Sequence, residues 1–254
     1  MTDPLSHAVL LIPAFNEEAS LPQLLNDIHA LYPHLPIVVI NDASRDQTSG
    51  VARSLGAQVI DLPTNLGVAG AMQAGFRWAY DHGFAYVLRC DADGQHPPAG
   101  FRAIADKIAE PGVDMVIGSR FRSGESFSNP LHRRIGILYL CRFLNRICRK
   151  TEPHELITDP TSGFQMINRP LMRYFAYHYP ADYPEPESIA LVTRLGYNIL
   201  EVGVPFQART GGTSSLTGMK SLYFALKVTL SLMIDRVRAI DNAYARESQE
   251  SLLP

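Results

Sequence analysis

The feature that most constrains this chain is a recurring alternation of short apolar runs with segments of helical spacing. The runs are Ala8-Val9-Leu10-Leu11-Ile12, Ile37-Val38-Val39-Ile40, Val59-Ile60-Asp61-Leu62, Phe84-Ala85-Tyr86-Val87-Leu88 and Val113 to Ile117. Continuous apolar runs of this length suit strands buried on both faces. Between them, Leu21, Leu24, Leu25, Ile28 and Leu31 fall on one helix face, as do Phe101, Ile104, Ala105 and Ile108. Repeated strand–helix units predict an α/β fold, a mostly parallel sheet with helices on both faces. The length of 254 residues allows one large domain, or one with an appendage.

Ligands of open α/β sheets bind outside the carboxyl ends of the strands. The polar residues that end each run are therefore the candidates for chemistry. The fourth run leads into Asp91-Ala92-Asp93-Gly94-Gln95-His96, followed by Pro97 and Pro98. If strand geometry persists to Asp93, residues i and i+2 point one way and the two carboxylates converge. Such a pair calls for a hard divalent ion, Mg²⁺ or Mn²⁺, completed by substrate phosphates. The first run ends in Pro13-Ala14-Phe15-Asn16-Glu17-Glu18, where Asn16 is expected as a helix N-cap with two acids at the positive end of the dipole. The second ends in Asn41-Asp42-Ala43-Ser44-Arg45-Asp46-Gln47-Thr48. Asp42 is placed to bind a ribose hydroxyl or a base N–H, with a helix cap as the alternative; Asp46 reads more strongly as a cap. Small residues from Gly67 to Ala71 let a backbone approach a ligand or a neighbouring element.

After Gly118-Ser119-Arg120 the alternation breaks. Gly124 to Asn129 reads as loop. Leu131 to Lys150 reads as a helix carrying Arg133, Arg134, Arg142, Arg146, Arg149 and Lys150 and no acid, a membrane-surface candidate. Leu222 to Ile234 is a second such element: an interfacial helix, a buried one, or a dimer-forming one that would make a homo-oligomer. The expected division is a catalytic domain over 1–215 and an amphipathic helix with a polar tail over 216–254, the tail from Ala245 to Ser251 weakly ordered. Between the helices, Asp159-Pro160-Thr161-Ser162-Gly163-Phe164 is a turn before a strand-like Gln165-Met166-Ile167. Tyr183-Pro184-Glu185-Pro186-Glu187 reads as a rigid acidic loop. Arg209 to Ser215 reads as a flexible polar loop with one cation, suited to close over a diphosphate.

A net charge of −2 gives no reason to expect nucleic acid. Cys90, Cys141 and Cys148 lack metal spacing and read as free thiols of a reducing compartment. No basic-then-apolar leader opens the sequence, and no segment reaches the ~20 apolar residues of a membrane span. The expectation is a cytoplasmic protein, peripheral to the inner face of the membrane.

Taken together, these stretches resemble the family two glycosyltransferases of GT-A fold. Pro13-Ala14-Phe15-Asn16-Glu17 is similar to their P-x-[FY]-N-E, and Asn41-Asp42-Ala43-Ser44-Arg45-Asp46-Gln47-Thr48 to their D-D-x-S-x-D-x-T. Asn65-Leu66-Gly67 with Ala71 and Gly75 is similar to a further segment, and Asp91-Ala92-Asp93 stands at the metal motif. The extended Asp91 to Pro98 stretch, Gly118-Ser119-Arg120, Arg133-Arg134 and Asp159 to Phe164 look like the polyprenyl-phosphate sugar transferases of the dolichol-phosphate-mannose-synthase type. Two features depart from that group: Ser214-Ser215-Leu216 after Arg209, and the Tyr183 to Glu187 stretch.

The resemblance implies inverting transfer of a sugar from a nucleotide-diphosphate sugar. Pro13, Ala14, Asn16, Glu17, Asp42, Gly67, Asp91 and Ala92 would bind the donor. Asp91, Asp93 and Gln95 would hold Mg²⁺ or Mn²⁺, and Arg209 would add charge at the diphosphate. Arg120, Arg133, Arg134, Thr161, Ser162 and Gly163 would meet the acceptor. A glycan or lipid-linked glycan hydroxyl needs a base, with Glu187 preferred and Glu185 in reserve, whereas a polyprenyl phosphate is already ionised and needs none. The acidic stretch favours the hydroxyl. Two rival readings, a sugar nucleotidyltransferase and a non-enzymatic membrane-peripheral scaffold, are disfavoured by the acidic first loop and by the intact Asp pair.

Overall fold

The computed structural model describes residues 3–122, 131–148, 156–207 and 218–237. The elements in order are β1 (Ala8–Ala14), α1 (Leu21–Leu31), β2 (Ile37–Asn41), α2 (Thr48–Ser54), β3 (Gln58–Asp61), α3 (Gly67–Asp81), β4 (Tyr86–Arg89) and α4 (Phe101–Ile108). Then come β5 (Met115–Ser119), α5 (Leu131–Ile147), β6 (Gln165–Asn168), α6 (Arg169–His178), α7 (Pro184–Arg194), β7 (Ile199–Gly203) and α8 (Gly218–Val237). The strands form one seven-stranded sheet in the order β3-β2-β1-β4-β6-β5-β7. Strand β6 runs antiparallel between β4 and β5, and the other pairings are parallel. The alternation up to β5 matches the expected α/β sheet.

The sheet is covered on both faces because its strands are apolar on both. On β1, Leu10 and Ile12 join a core with Leu25, Leu88, Phe101 and Phe164, while Val9 and Leu11 face Met72, Phe76 and Phe175. Each such side chain contributes roughly 1.5–3 kcal/mol when fully buried. Strand β1 does not stop at Pro13 as expected but runs through it to Ala14. Leu10 donates its N–H to Pro36 on the β2 side, so the nitrogen of Pro13 faces β4. Pairing with β4 has already ended at Leu11, so no ladder bond is lost there.

Helix α8 packs along one face against α5 and α7. Val228 and Leu232 pack with Leu140 and Leu144 of α5 and Ala190 of α7. Its other face leaves Leu226, Leu230, Met233 and Ile234 exposed, and α5 likewise exposes Ile135, Leu138 and Tyr139. Among the described residues, no helix is long and apolar enough to cross a membrane. The loop from Gly124 to Asn129, the Arg209 to Ser215 loop and the tail from Ala245 to Ser251 lie outside the described residues.

Gly118 shows how tightly β5 meets α4. A Cβ there would lie 2.8 Å from Phe164, 2.9 Å from Val204 and 3.1 Å from Ile104. Gly118→Ala should therefore destabilise the fold by about 1–3 kcal/mol in urea unfolding. Gly136→Ala on α5, where a Cβ meets nothing within 4 Å, should be neutral or stabilise by up to about 1 kcal/mol.

Candidate active site

Strand β4 ends at Arg89, so Asp91 and Asp93 lie beyond it and do not share a strand face. The i, i+2 argument for their convergence is corrected: a turn presents them. The Asp91 N–H donates to His96 Nδ1 at 2.9 Å, the Gln95 N–H donates to Asp93 Oδ1 at 3.0 Å, and Gly94 takes φ 76°. His96 is buried and stacks on Phe164 at 5.0 Å. Burial lowers its pKa, which suits a neutral ring whose Nδ1 accepts.

The turn opens on a cavity of about 340 Å³. The first loop lines it with Pro13, Ala14, Phe15 and Glu17, α3 with Val68 and Ala71, and β4 with Arg89 and the residues that follow, Asp91, Ala92 and Asp93. Asp42 and Glu185 complete the wall. Eight residues singled out in the sequence therefore meet here: Pro13, Ala14, Glu17, Asp42, Asp91, Ala92, Asp93 and Glu185.

Others stand behind the wall. Asn16 does not cap α1, which begins at Leu21 after Ser20. It sits at φ 57°, accepts the Arg45 N–H at 2.8 Å and donates its own N–H to Ser44 Oγ at 2.9 Å. Glu17 N–H donates to Thr48 Oγ1, and Glu18 accepts from Gln47 N–H. The acidic pair thus ties the first loop to the second rather than serving the helix dipole. Asp46 lies one residue before Gln47, the N-cap of α2, and accepts from Thr48 N–H at 3.0 Å. Slight burial works against it, but hydrogen bonds from Thr48 and Glu18 hold its pKa below the usual range. Asp42 accepts the Leu66 N–H at 2.7 Å and so fixes the start of α3, not of α2. Gly67, at φ 72°, makes the turn into α3. Gln95 is held through its backbone, its carbonyl accepting from Gln207 N–H.

Arg89 is the residue that sequence reasoning missed. Its side chain is 3% exposed. Its Nη2 donates to Glu185 Oε1 at 2.8 Å and to Asp91 Oδ1 at 3.1 Å, and its Nη1 reaches Tyr179 Oη at 3.4 Å. Burial on its own would lower the Arg89 pKa, but the two carboxylates hold it above the ordinary value. The signal was an arginine closing an otherwise apolar run. Gly163 has its explanation here: a Cβ on it would lie 2.8 Å from Arg89 Nη2 and 2.9 Å from Asp91 Oδ2.

The stretch from Tyr183 to Glu187 is not a loop. It is the N-cap and first turn of α7, where Pro184 and Pro186 need no intrahelical N–H partner. Glu187 is 4% exposed and turned away from the cavity. It accepts from the Tyr183 N–H at 3.2 Å and from Ser231 Oγ on α8. Glu185, not Glu187, faces the cavity.

Arg120, Thr161, Ser162 and Gly163 do come together, but as a braced corner. Arg120 donates Nε and Nη2 to the two Asp159 oxygens at 2.7 and 2.6 Å, and Nη2 also to Thr161 Oγ1 at 2.8 Å. Burial lowers the Arg120 pKa, but Asp159, with Asp91 and Asp93 further off, raises it overall. Ser162 Oγ donates to the Gly118 carbonyl at 2.7 Å. Buried Glu201 on β7, also missed, accepts from Thr158 N–H, Thr158 Oγ1, Asp159 N–H and Arg122 Nε. The side chains of Arg133 and Arg134 and the whole of Arg209 lie outside the described residues.

A second cavity, about 750 Å³, lies between α5 and the 156–158 segment. Phe121, Ile137, Leu138, Cys141, Leu156 and Ile157 make it mostly apolar, and Arg142 and Arg146 stand on its wall. Asn145 clasps the Ile157 backbone through both its amide groups, at 2.8 and 3.0 Å.

Among the described residues, no group of three His, Cys, Asp or Glu forms a ready metal centre. Asp91 and Asp93 on one cavity wall still fit Mg²⁺ or Mn²⁺, because such ions commonly take one or two carboxylates and complete their shell with substrate phosphate and water.

This sheet, with its acidic turn at the carboxyl edge, is that of the GT-A fold. The chain belongs to Glycosyl transferase family 2, whose sequence model matches residues 9–175. It is similar to polyprenol monophosphomannose synthase of Mycolicibacterium smegmatis, 25% identical over 249 residues that cover 93% of this chain and 92% of that one. It is also similar to undecaprenyl-phosphate mannosyltransferase of Micrococcus luteus, 29% identical over 222 residues covering 82% and 86%. Among solved structures, glucosyl-3-phosphoglycerate synthase from Mycobacterium tuberculosis, in complex with Mn²⁺, UDP and glucosyl-3-phosphoglycerate, superposes with a TM-score of 0.68. The superposition covers 92% of this chain and 81% of that one at 18% identity, a likeness of fold.

Two substitutions test the braces. Ser231→Ala should remove a partner of buried Glu187 and cost about 1–3 kcal/mol, read by urea unfolding. Asp159→Asn, which removes the charge of the carboxylate hydrogen-bonded to the buried Arg120 guanidinium, should cost more, about 3–5 kcal/mol.

Proposed function

We propose that this protein transfers a sugar from a nucleotide-diphosphate sugar to a polyprenyl phosphate at a membrane surface, with inversion. The observation that carries the reading is the apolar cavity beside α5. Its wall runs through Phe121 and Thr158, the immediate neighbours of Arg120 and Asp159. Arg120 in turn feels the charges of Asp91 and Asp93. A lipid chain in that cavity would bring its phosphate toward the donor side, with Arg133, Arg134, Arg142 and Arg146 of α5 supplying positive charge. The relatives named for polyprenol and undecaprenyl-phosphate transfer support the same acceptor class.

The acidic pair, which on sequence favoured a hydroxyl acceptor, supports the phosphate once its geometry is known. Glu187 is bonded to α8, and Glu185 is the counter-ion of Arg89. An ionised phosphate asks for no base. On this reading Asp42 and the Pro13 to Glu17 loop hold the nucleoside, and Asp91 and Asp93, with Gln95 beside them, hold the divalent ion. When bound, that ion supplies Lewis-acid stabilisation of the leaving diphosphate. Arg209 adds a second positive charge there. Glu185 on the cavity wall favours the second reading, a glycan hydroxyl acceptor with Glu185 as base. The exposed apolar faces of α5 and α8 support a protein peripheral to a membrane.

Purified protein given nucleotide sugars with Mn²⁺ and either undecaprenyl phosphate or a glycan tests the choice. The lipid phosphate should be the better acceptor, and Asp93→Asn should remove most of the transfer. Cys141→Trp, which fills the apolar cavity, should raise the lipid acceptor KM by about tenfold or more and leave the donor KM unchanged, on the order of one lost apolar subsite. Glu185→Gln should cost far less than the ~10²–10⁴ in kcat expected of a lost general base. A loss of that size, with turnover only on the glycan, would reverse the assignment.

A further inference from the structure

We infer that Arg89 is a positioning residue that stands in for the divalent ion at Asp91, holding the acidic site together before the ion and donor arrive and weakening the ion's affinity. The inference rests on the reading of Asp91 and Asp93 as ion ligands. Arg89 closes the central strand β4, and its guanidinium is almost wholly enclosed. It bridges Asp91, from the turn after β4, to Glu185, from the first turn of α7. The two carboxylates are 94 positions apart in the chain, and this shared cation joins them.

The cavity around them holds Glu17, Asp42, Asp91, Asp93 and Glu185 against Arg89 as its single cation among the described lining residues. Without a cation at the centre, Asp91 and Glu185 would repel one another in a half-buried setting. Arg89 removes that repulsion. Its attachment is incomplete, because its buried Nε has no hydrogen-bond partner among the described residues and Tyr179 is distant at 3.4 Å. The guanidinium therefore has unmet donor capacity and a reason to grip Asp91.

Asp91 Oδ1 cannot serve Arg89 and an ion at full strength together. Arg89 cannot withdraw either, since Gly163 lies directly against it and its surroundings are closed. When the ion takes Asp91, Arg89 keeps Glu185 and remains a like charge beside the ion. The consequence is a site that stays folded while empty and binds the bare ion weakly, so that the ion loads well only when the donor's diphosphate adds its own oxygens.

The test uses the full chain and Mn²⁺ alone, with binding read by electron paramagnetic resonance and stability by thermal unfolding. Arg89→Met should bind Mn²⁺ more tightly than the parent, by at least about tenfold, because a like charge a few ångströms away is gone. Its Tm without metal should fall, and Mn²⁺ should raise it by more than it raises the parent's. Arg89→Lys, which keeps a cation, should return the Mn²⁺ affinity toward the parental value. A purely structural arginine would lower stability without tightening the ion. Equal Mn²⁺ affinity in parent and Arg89→Met overturns the inference. A parent that binds no Mn²⁺, with or without UDP, overturns the ion reading of Asp91 and Asp93 as well. Should Arg89→Met fail to fold, ¹⁵N-arginine spectra of the parent decide, assigned through Arg89→Lys. Saturating Mg²⁺ should shift the Arg89 guanidinium signals as Asp91 leaves, and unshifted signals overturn the inference.

Discussion

The arrangement of this molecule depends on one buried guanidinium at the end of its central strand. A charge taken out of water is destabilising by several kcal/mol unless it is paired and hydrogen-bonded. Arg89 obtains its partners from two places, the turn after β4 and the start of α7. That requirement reaches outward. Gly163 has to lack a side chain, because a Cβ would enter the space of Arg89 and Asp91. Helix α7 has to begin at Pro184, so that Glu185 faces inward. The same first turn then sends Glu187 toward Ser231, which fastens α8. The ion cluster and the helix turn beside it thus link the carboxyl edge of the sheet to the apolar helices on its flank.

What the sequence made legible is what is local. The apolar runs and the 3.6-residue spacing between them pointed to β1 to β5 and the helices that alternate with them, since both periods are carried by neighbouring residues, whereas β7, which pairs parallel with β5, went unread. The polar strand ends were legible for the same reason, and Glu17, Asp42, Asp91 and Asp93 from them line one cavity. The antiparallel entry of β6 was not legible, because strand direction is decided by what lies between β4 and β5 in space. Helix α6 was overlooked although it carries its own signal, Asn168 capping Leu171 N–H with Pro170 in the first turn. Asn16 was misread as a cap because its partners, Ser44 and Arg45, come from a different loop.

The two glutamates show how small a structural difference decides a chemical one. In an extended loop Glu185 and Glu187 would point alike. In a helix, two positions are separated by roughly 200° of rotation, so the residues take opposite faces. The choice between loop and helix therefore selects which acid meets the cavity. Proline made both plausible from sequence, since it rigidifies loops and also suits the first helical turn.

The two cavities also divide the chemistry by charge. The smaller carries five carboxylates, Glu17, Asp42, Asp91, Asp93 and Glu185, against one guanidinium. A nucleoside diphosphate is itself anionic and is repelled by such a wall until added cations offset it. The larger cavity is apolar, with two arginines and no acid among the described lining residues, the converse requirement of a chain with an anionic head. Between them stands Arg120, bound to Asp159 and within the field of Asp91 and Asp93. An acidic pocket is a poor place for a phosphate nucleophile to wait, and a basic, apolar groove is a poor place for a metal–diphosphate complex. On the proposed function, keeping the two surfaces apart, with braced Arg120 next in sequence to Phe121 of the larger one, would let each ligand be held by the charge that suits it and confine their meeting to the wall between them.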